Sequence, residues 1–240
     1  MFESPAAFEN KFILKLFGDL KNKEILDLGA GTGETSVYFA LKGARVIWND
    51  ISDQARQKAE SLAKQYKIAH SIRFVCDDVA KALAECEAEQ VDFLYGANVL
   101  HHINRAPIPG LLSRLLKKNG KFAFIDPLKY NPVINVYRAM ADKVRSPDEQ
   151  PLDFKVIEQF RPFFKASHRE FWLTSLVIFM KFFFIDRVHP NQEPYWKKIF
   201  YDGLKSGRLL EHTGKIDNLL ARIPPLNYLC WNTVIYGEKS

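Results

Sequence analysis

Glu24-Ile25-Leu26-Asp27-Leu28-Gly29-Ala30-Gly31-Thr32-Gly33-Glu34-Thr35 is the stretch on which the reading of the whole chain turns. Residues 25–28 are a short apolar run of the kind that forms a buried strand, and residues 35–41 read as a helix. Between them, Gly29, Gly31 and Gly33 stand at alternating positions. A backbone without Cβ atoms turns sharply and lets a ligand lie against it, while the helix start offers unpaired N–H groups. Strand, glycine turn and helix together make a seat for a flat, polar ligand.

Working outward, residues 43–50 predict a second strand that stops at Asp50. Asp50 follows Asp27 by about the 20-residue interval at which dinucleotide-type folds place a ribose-binding acid. A helix over 52–66, capped by Ser52 or Asp53, leads to a third strand at 71–76 that ends on Asp77-Asp78. Residues 79–89 read as a helix and 91–96 as the fourth strand, followed by Ala97-Asn98-Val99-Leu100-His101-His102-Ile103. A helix over 109–116 runs into Lys117-Lys118-Asn119-Gly120, with the glycine as left-handed C-cap, before a fifth strand at 121–126. This alternation predicts an α/β, doubly wound parallel sheet with ligands outside the carboxyl ends of its strands. Upstream, residues 5–20 place Phe8, Phe12, Leu16 and Leu20 on one side of an amphipathic helix.

Beyond Pro127 the rhythm changes. Residues 128–144 predict a helix with a basic, aromatic face that includes Tyr130, Tyr137 and Arg138, and 145–151 predict a loop. A helix over 152–160, a sixth strand over 164–172, helical pieces over 196–204 and 216–222 and a last strand over 228–236 follow. The most apolar window, 171–185, is interrupted by Lys181 and falls short of the roughly 20 residues a spanning helix needs, so no transmembrane segment is expected. Its apolar residues run around most of its circumference, which implies burial, including burial in a homodimer, or peripheral contact with a membrane.

The bulk numbers set limits. A chain of 240 residues with 47% hydrophobic content forms a substantial core, and one domain with insertions is the default. The net charge of +6 comes from scattered lysines and arginines, which argues for solubility or attraction to anionic partners and against a nucleic-acid stripe. Cys76, Cys86 and Cys230 include no CxxC pair, so neither a disulfide framework nor a zinc site is expected. The N-terminal residues carry no signal-peptide pattern, and a cytoplasmic location is expected.

With these residues in view, the chain resembles the class I S-adenosylmethionine-dependent methyltransferases of small-molecule type. The resemblance rests on residues 24–33, on Asp50 after the second strand, Asp78 after the third, residues 98–102 after the fourth and Asn119-Gly120-Lys121 before the fifth. It spans residues 5–126 and only in outline the rest. It implies a Rossmann-like, doubly wound, seven-stranded sheet, mostly parallel with the last strand antiparallel, and helical lid insertions. Residues 1–240 would form a single domain: a cofactor core at 1–126, a mainly helical substrate cover at 127–227, and the last strand and tail at 228–240. A glycine turn also serves nicotinamide and flavin enzymes, but Asp27 inside the turn would repel a pyrophosphate and attract a cationic amino-acid ligand.

The resemblance also implies roles, with S-adenosyl-L-methionine as the cofactor. Gly29, Ala30, Gly31 and Gly33 would let its methionine portion pass close to the backbone, and Asp27 would orient the ammonium. Asp50 would accept the ribose hydroxyls, with Ile51 against the adenine face. Asp78 would accept the adenine amino group, with the Val79 N–H facing the ring, and Asn98 would line the sulfur end. His101 and His102 stand where cofactor and substrate sites meet, and an imidazole can take the proton that an oxygen or nitrogen nucleophile must lose. His101 is favoured as the base; a purely structural role for the pair stays open. Tyr130, Tyr137 and His168 are candidates for substrate contact. No metal is expected, because the fourth strand ends without carboxylates and Asp126 stands alone before Pro127. The function expected is methyl transfer to oxygen, nitrogen or carbon of a small hydrophobic or aromatic metabolite. The alternatives are a quinone or lipid methyltransferase at a membrane surface, a nucleotide-binding reductase, and a binding subunit without activity.

Overall fold

A computed structural model of the chain describes residues 2–141, 149–193, 195, 198–199 and 207–240. Strands β1 (Glu24–Leu28), β2 (Arg45–Asp50), β3 (Ile72–Cys76), β4 (Val91–Ala97), β5 (Leu116–Pro127), β6 (Lys165–Phe171) and β7 (Asn232–Glu238) form one sheet in the order β3-β2-β1-β4-β5-β7-β6. It is mostly parallel and includes an antiparallel pairing. β1 pairs in parallel with β2 and β4, β2 with β3, and β4 with β5. Ile25, Leu26, Trp48 and Leu94 are completely buried, as strands covered on both faces must be, which is why they read as apolar runs.

The strand order reverses between β1 and β4, and ligands of open α/β sheets bind at the carboxyl edge of such a switch point. Leu28 is level with Asn49 of β2 and Gly96 of β4, and Ala97 is level with Ile125 of β5. The segments that leave β1, β2, β4 and β5 therefore start from one edge of the sheet.

Helices α1 (Phe8–Phe17), α2 (Glu34–Leu41), α3 (Asp53–Gln65), α4 (Val79–Glu85), α5 (Ile108–Leu115) and α6 (Pro132–Met140) lie near their expected places, with instructive differences. On α1 the fully buried apolar residues are Ile13 and Phe17, beside buried Glu9 and Asn10, whereas Phe8, Phe12 and Leu16 are half-buried. α4 stops at Glu85, short of the expected 89. Residues 117–120 do not cap α5: they lie within β5, where pairing with β4 jumps from Val91–Leu116 to Phe93–Lys121. Asn119 takes the left-handed conformation, φ 61°, and Gly120 is needed because a Cβ there would stand 2.7 Å from the Lys117 carbonyl oxygen. α6 starts at Pro132, since Asn131 accepts the Ile134 N–H at 3.0 Å as N-cap and Pro132 fits the first turn. The expected helix over 152–160 is a 3-10 turn, Phe154–Val156, and one helical turn, Ile157–Phe160. Leu152 instead forms a bridge with Leu128. The last strand starts at Asn232, because Leu226–Leu229 coil into a 3-10 turn.

The chain divides into two compact units: Met1–Phe12, Pro127–Asp153 and Arg169–Val234 form one, Ile13–Asp126, Phe154–His168 and Ile235–Ser240 the other. The second holds the glycine turn over a core in which Phe39 meets Tyr95 edge-on at 5.4 Å and Phe122 stacks on Phe160 at 5.1 Å. The first is knit by an aromatic cluster of Tyr137, Phe179, Tyr195 and Trp231. In it, the helix Gly207–Leu220 presents the buried Asp217, whose carboxylate accepts the N–H groups of Leu173, Thr174 and Ser175.

The window at 171–185 is not one helix but a 3-10 turn (Thr174–Leu176), an α turn (Val177–Met180) and a π turn (Lys181–Ile185). Leu176, Ile178, Phe179 and Phe182 are core, while Met180, Phe184 and Ile185 are exposed. No helix among the described residues is long and apolar enough to cross a membrane. Of the helix expected over 196–204, only residues 198–199 lie among the described residues, and both are helical; Trp196 and residues 142–148 of the expected helix and loop lie outside them.

Candidate active site

The three turn glycines all have positive φ, at 60°, 52° and 84°, but each position demands glycine for a different reason. A Cβ on Gly29 would stand 2.9 Å from Cγ2 of Val99, in the segment after β4, and one on Gly33 would stand 2.6 Å from Cβ of Ala59 on α3. A Cβ on Gly31 would meet nothing within 4 Å. Gly29 and Gly33 are thus packing positions, and Gly31 borders open space. The Ala30 N–H donates to the Asn49 carbonyl at 2.9 Å and Trp48 Nε1–H to the Gly31 carbonyl at 3.2 Å, so the turn is held from β2.

Asp27 lies beneath this turn, almost fully buried, and accepts the Ser36 hydroxyl at 2.6 Å. Burial pushes its carboxyl up to about 7; the Ser36 hydrogen bond opposes this, and repulsion from Asp50 and Glu34 adds to it. A buried acid poised near neutrality is a place where a ligand's cation would restore the full negative charge. Asp50 ends β2 with Oδ2 accepting the Gly31 N–H at 2.9 Å and Oδ1 accepting the Ser52 N–H at 2.9 Å. Each carboxylate oxygen keeps a lone pair beyond these bonds. The next residue, Ile51, is 75% exposed, an unusual position for an isoleucine at a strand end.

Asp78 is the N-cap of α4, its Oδ1 accepting from Ala80 at 2.8 Å and from Lys81 at 3.4 Å, while Val79 is buried. Both bonds use Oδ1, which leaves Oδ2 outside the cap. Asn98, with φ 57°, turns the chain after β4 and donates its N–H to the Ile125 carbonyl at 2.7 Å; its side chain is exposed.

His101 and His102 sit on the 3-10 turn Leu100–His102 with ring centroids 4.0 Å apart, yet His101 is buried and His102 exposed. The His101 Nδ1 lies 2.7 Å from Oδ1 of Asp126, and the same oxygen accepts the His101 backbone N–H at 3.2 Å. Burial raises the Asp126 carboxyl while its bonds to His101 oppose the rise. Asp126, which the sequence reading weighed only as a metal ligand, is therefore the partner of His101. Its strand-terminal position, like that of Asp50, was the available signal. Ser36 and Asn49 were also missed; Asn49 donates Nδ2–H to the carbonyls of Val75 and Asp77 and so ties the acidic β3 end to β2.

The structure thus joins the glycine turn to Asp50 by a hydrogen bond, pairs Asp27 with Ser36 of α2, and brings Val99 of the histidine segment against Gly29 of that turn. The three substrate candidates stand on local partners instead: Tyr130 against Tyr228 at 4.8 Å, Tyr137 in the aromatic cluster, and His168 stacked on Phe154 at 5.0 Å.

Residues 25–120 match a family described as a methyltransferase domain. The chain is 28% identical over 109 residues to phosphoethanolamine N-methyltransferase of Triticum aestivum, covering 45% of this chain and 21% of that protein. It is likewise 28% identical over 107 residues to sarcosine/dimethylglycine N-methyltransferase of Halorhodospira halochloris, covering 44% of this chain and 38% of that one. The chain therefore spans well under half the length of these curated relatives. Geranyl diphosphate C-methyltransferase from Streptomyces coelicolor A3(2), solved with Mg2+, geranyl diphosphate and S-adenosyl-L-homocysteine, superposes with a TM-score of 0.61 at 10% identity, covering 96% of this chain and 79% of that one. At that identity the likeness is one of fold.

Proposed function

We propose that this chain, whose residues 25–120 carry the methyltransferase domain of the class I S-adenosylmethionine-dependent family, transfers a methyl group to a small organic acceptor. The observation that carries the reading is the Asp50–Gly31 hydrogen bond at the carboxyl edge of the sheet, because it sets a carboxylate beside the one turn glycine that faces open space. The residues suit the family's cofactor: open backbone at Gly31 accepts a close ligand, and buried Asp27 gains from a nearby ammonium. When bound, S-adenosylmethionine supplies an electrophilic methyl group on a sulfonium.

The chain's own part is to bind and orient. Asp50 receives the ribose hydroxyls on its remaining lone pairs, and Ile51 offers an apolar face to the adenine. Asp78 Oδ2 and the Val79 N–H serve the adenine edge. Asp27 steers the ammonium, with Gly29, Ala30, Gly31 and Gly33 forming the backbone beneath it, and Asn98 stands toward the sulfur end. His101 takes the acceptor's proton, and His102, exposed on the same turn, contacts the acceptor. Holding a nucleophile in line with the methyl carbon turns a bimolecular encounter into a step within one complex, and this lowers the barrier. The N-methyltransferases among the relatives support a small polar acceptor. The exposed Met180, Phe184 and Ile185 favour a second reading, an acceptor met at a lipid surface.

Isothermal titration with S-adenosylhomocysteine against NADPH tests the cofactor, and turnover of labelled S-adenosylmethionine with small amines and alcohols tests the reaction. Binding of NADPH in place of S-adenosylhomocysteine would remove the proposal. Co-flotation with anionic vesicles tests the second reading.

A further inference from the structure

Residues 127–141, 173–189 and 219–231 hold Lys129, Arg138, Lys181, Arg187 and Arg222 but a single acid, Asp186, together with large apolar residues that folding leaves exposed. All three segments belong to the same compact unit. We infer that this unit carries a docking face for an anionic lipid bilayer, where an apolar groove takes a hydrocarbon chain and arginines of the same segments meet the headgroups. For its use in the reaction it rests on the reading of an acceptor met at a lipid surface, which it deepens by naming the face that meets it.

The groove measures about 330 Å³. Val133 of α6, Val177 and Met180 of the α turn, and Leu229 line it, and all four are exposed. Its polar lining is already engaged: Asn131 accepts the Ile134 N–H and donates to the Leu229 carbonyl, and the Thr174 hydroxyl donates to Asp217 at 2.6 Å. A polar ligand finds little to bond there, whereas a hydrocarbon chain asks only for apolar wall. The apolar surface continues along both elements. Val136 lies one turn after Val133 on α6, where only Ile134 is buried, and exposed Phe184 and Ile185 follow Met180 in the π turn. Tyr228, next to Leu229, is exposed, and a tyrosine suits the boundary between hydrocarbon and headgroups. Single apolar residues are ordinary on a surface; a set gathered on one groove marks an interaction site.

Charge selects the occupant. Lys129 meets Asp153 and Lys181 meets Asp186, which leaves the three segments net positive, with Arg187 and Arg222 exposed. A second copy docked about a two-fold axis would bring the same positive patch against itself. The negative surface of a bilayer attracts it instead, while the exposed apolar side chains enter the headgroup boundary.

The test is co-flotation of the full chain with vesicles of phosphatidylcholine alone and of phosphatidylcholine with about one-third phosphatidylserine. The expected result is flotation with the serine-containing vesicles only, weakened by added salt. Phe184→Ser combined with Ile185→Ser should lower the partition by about ten-fold or more. Arg187→Gln and Arg222→Gln should each lower it by about five-fold. All four changes fall on exposed side chains, and thermal melts confirm that the variants fold. Flotation with neither vesicle, or equally with both, overturns the inference, and so does a partition that none of these variants changes. A dimer in sedimentation velocity that Phe184→Ser with Ile185→Ser dissolves also overturns it, by giving the face to a second copy. Labelled methyl transfer separates the two readings: a chain that floats through this face yet methylates only water-soluble acceptors loses the lipid acceptor and keeps the docking face.

Discussion

Gly31 donates its main-chain N–H to Oδ2 of Asp50 across 2.9 Å, which joins the tip of the turn after β1 to the last residue of β2. The bond brings the glycine turn and an acid about 20 residues further on to one place at the sheet edge, the pairing that dinucleotide-type folds use for a ligand. Replacing Asp50 with alanine is expected to weaken S-adenosylhomocysteine binding by about ten-fold, the rough value of one charged hydrogen-bonding group. Calorimetric titration measures this, and an unaltered dissociation constant would take Asp50 out of the site.

The glycines should separate packing from binding. Gly33→Ala drives a Cβ to 2.6 Å from Ala59, and the resulting overpacking is expected to cost about 1–3 kcal/mol in addition to left-handed strain. Gly31→Ala meets nothing within 4 Å and should cost only the strain, about 1–2 kcal/mol, while the new methyl intrudes on the ligand. Thermal melts and titrations of the two variants should therefore rank in opposite order. Equal loss of binding at equal stability would contradict the assignment of Gly31 to the ligand face.

Asp27 links stability to pH with a definite sign. Burial raises its carboxyl to about 7, so the folded chain holds a proton that the unfolded chain has released. Its contribution is neutral below the ordinary carboxylate range, turns increasingly unfavourable as pH rises, and levels off above about 7. Asp27→Asn should leave stability unchanged at about pH 3 and raise it by up to about 4 kcal/mol at about pH 8, if the amide keeps the Ser36 contact. The unaltered chain is expected to bind S-adenosylhomocysteine more tightly as pH rises from about 6 to about 8, and the same change should abolish that rise. Denaturant titrations across this range provide the check.

Substituting alanine for His101 should leave S-adenosylhomocysteine affinity nearly intact and lower turnover by about a hundred-fold. Labelled-methyl transfer measures it. Retained activity would return His101 to a structural role beside Asp126.

Within residues 171–185, Phe182→Ala should cost about 3–5 kcal/mol, the usual loss for a buried phenylalanine. Phe184→Ser should change stability by less than about 0.5 kcal/mol, because the ring is 68% exposed. Equal destabilisation by the two, read from denaturant midpoints, would mean that Phe184 is covered in solution.

The sequence alone determined the α/β layout, the strand–turn–helix unit at Glu24–Leu28 and Glu34–Leu41, and Asp50 at the end of β2. These are local properties: strands buried on both faces must be apolar throughout, and left-handed turns select glycine. Boundaries slipped where a side chain or the sheet register overrode local pattern, as at Asn131 before α6 and at residues 117–120 within β5. Only the tertiary structure set His101 and His102 apart, neighbours on one 3-10 turn of which one is buried and the other exposed. It alone supplied Asp126 as partner, because the contact closes only when β4 and β5 lie side by side. It also poised Asp27 near neutrality and divided residues 171–185 into core and surface. Desolvation and long-range pairing are properties of the folded neighbourhood, and no short window of sequence contains them.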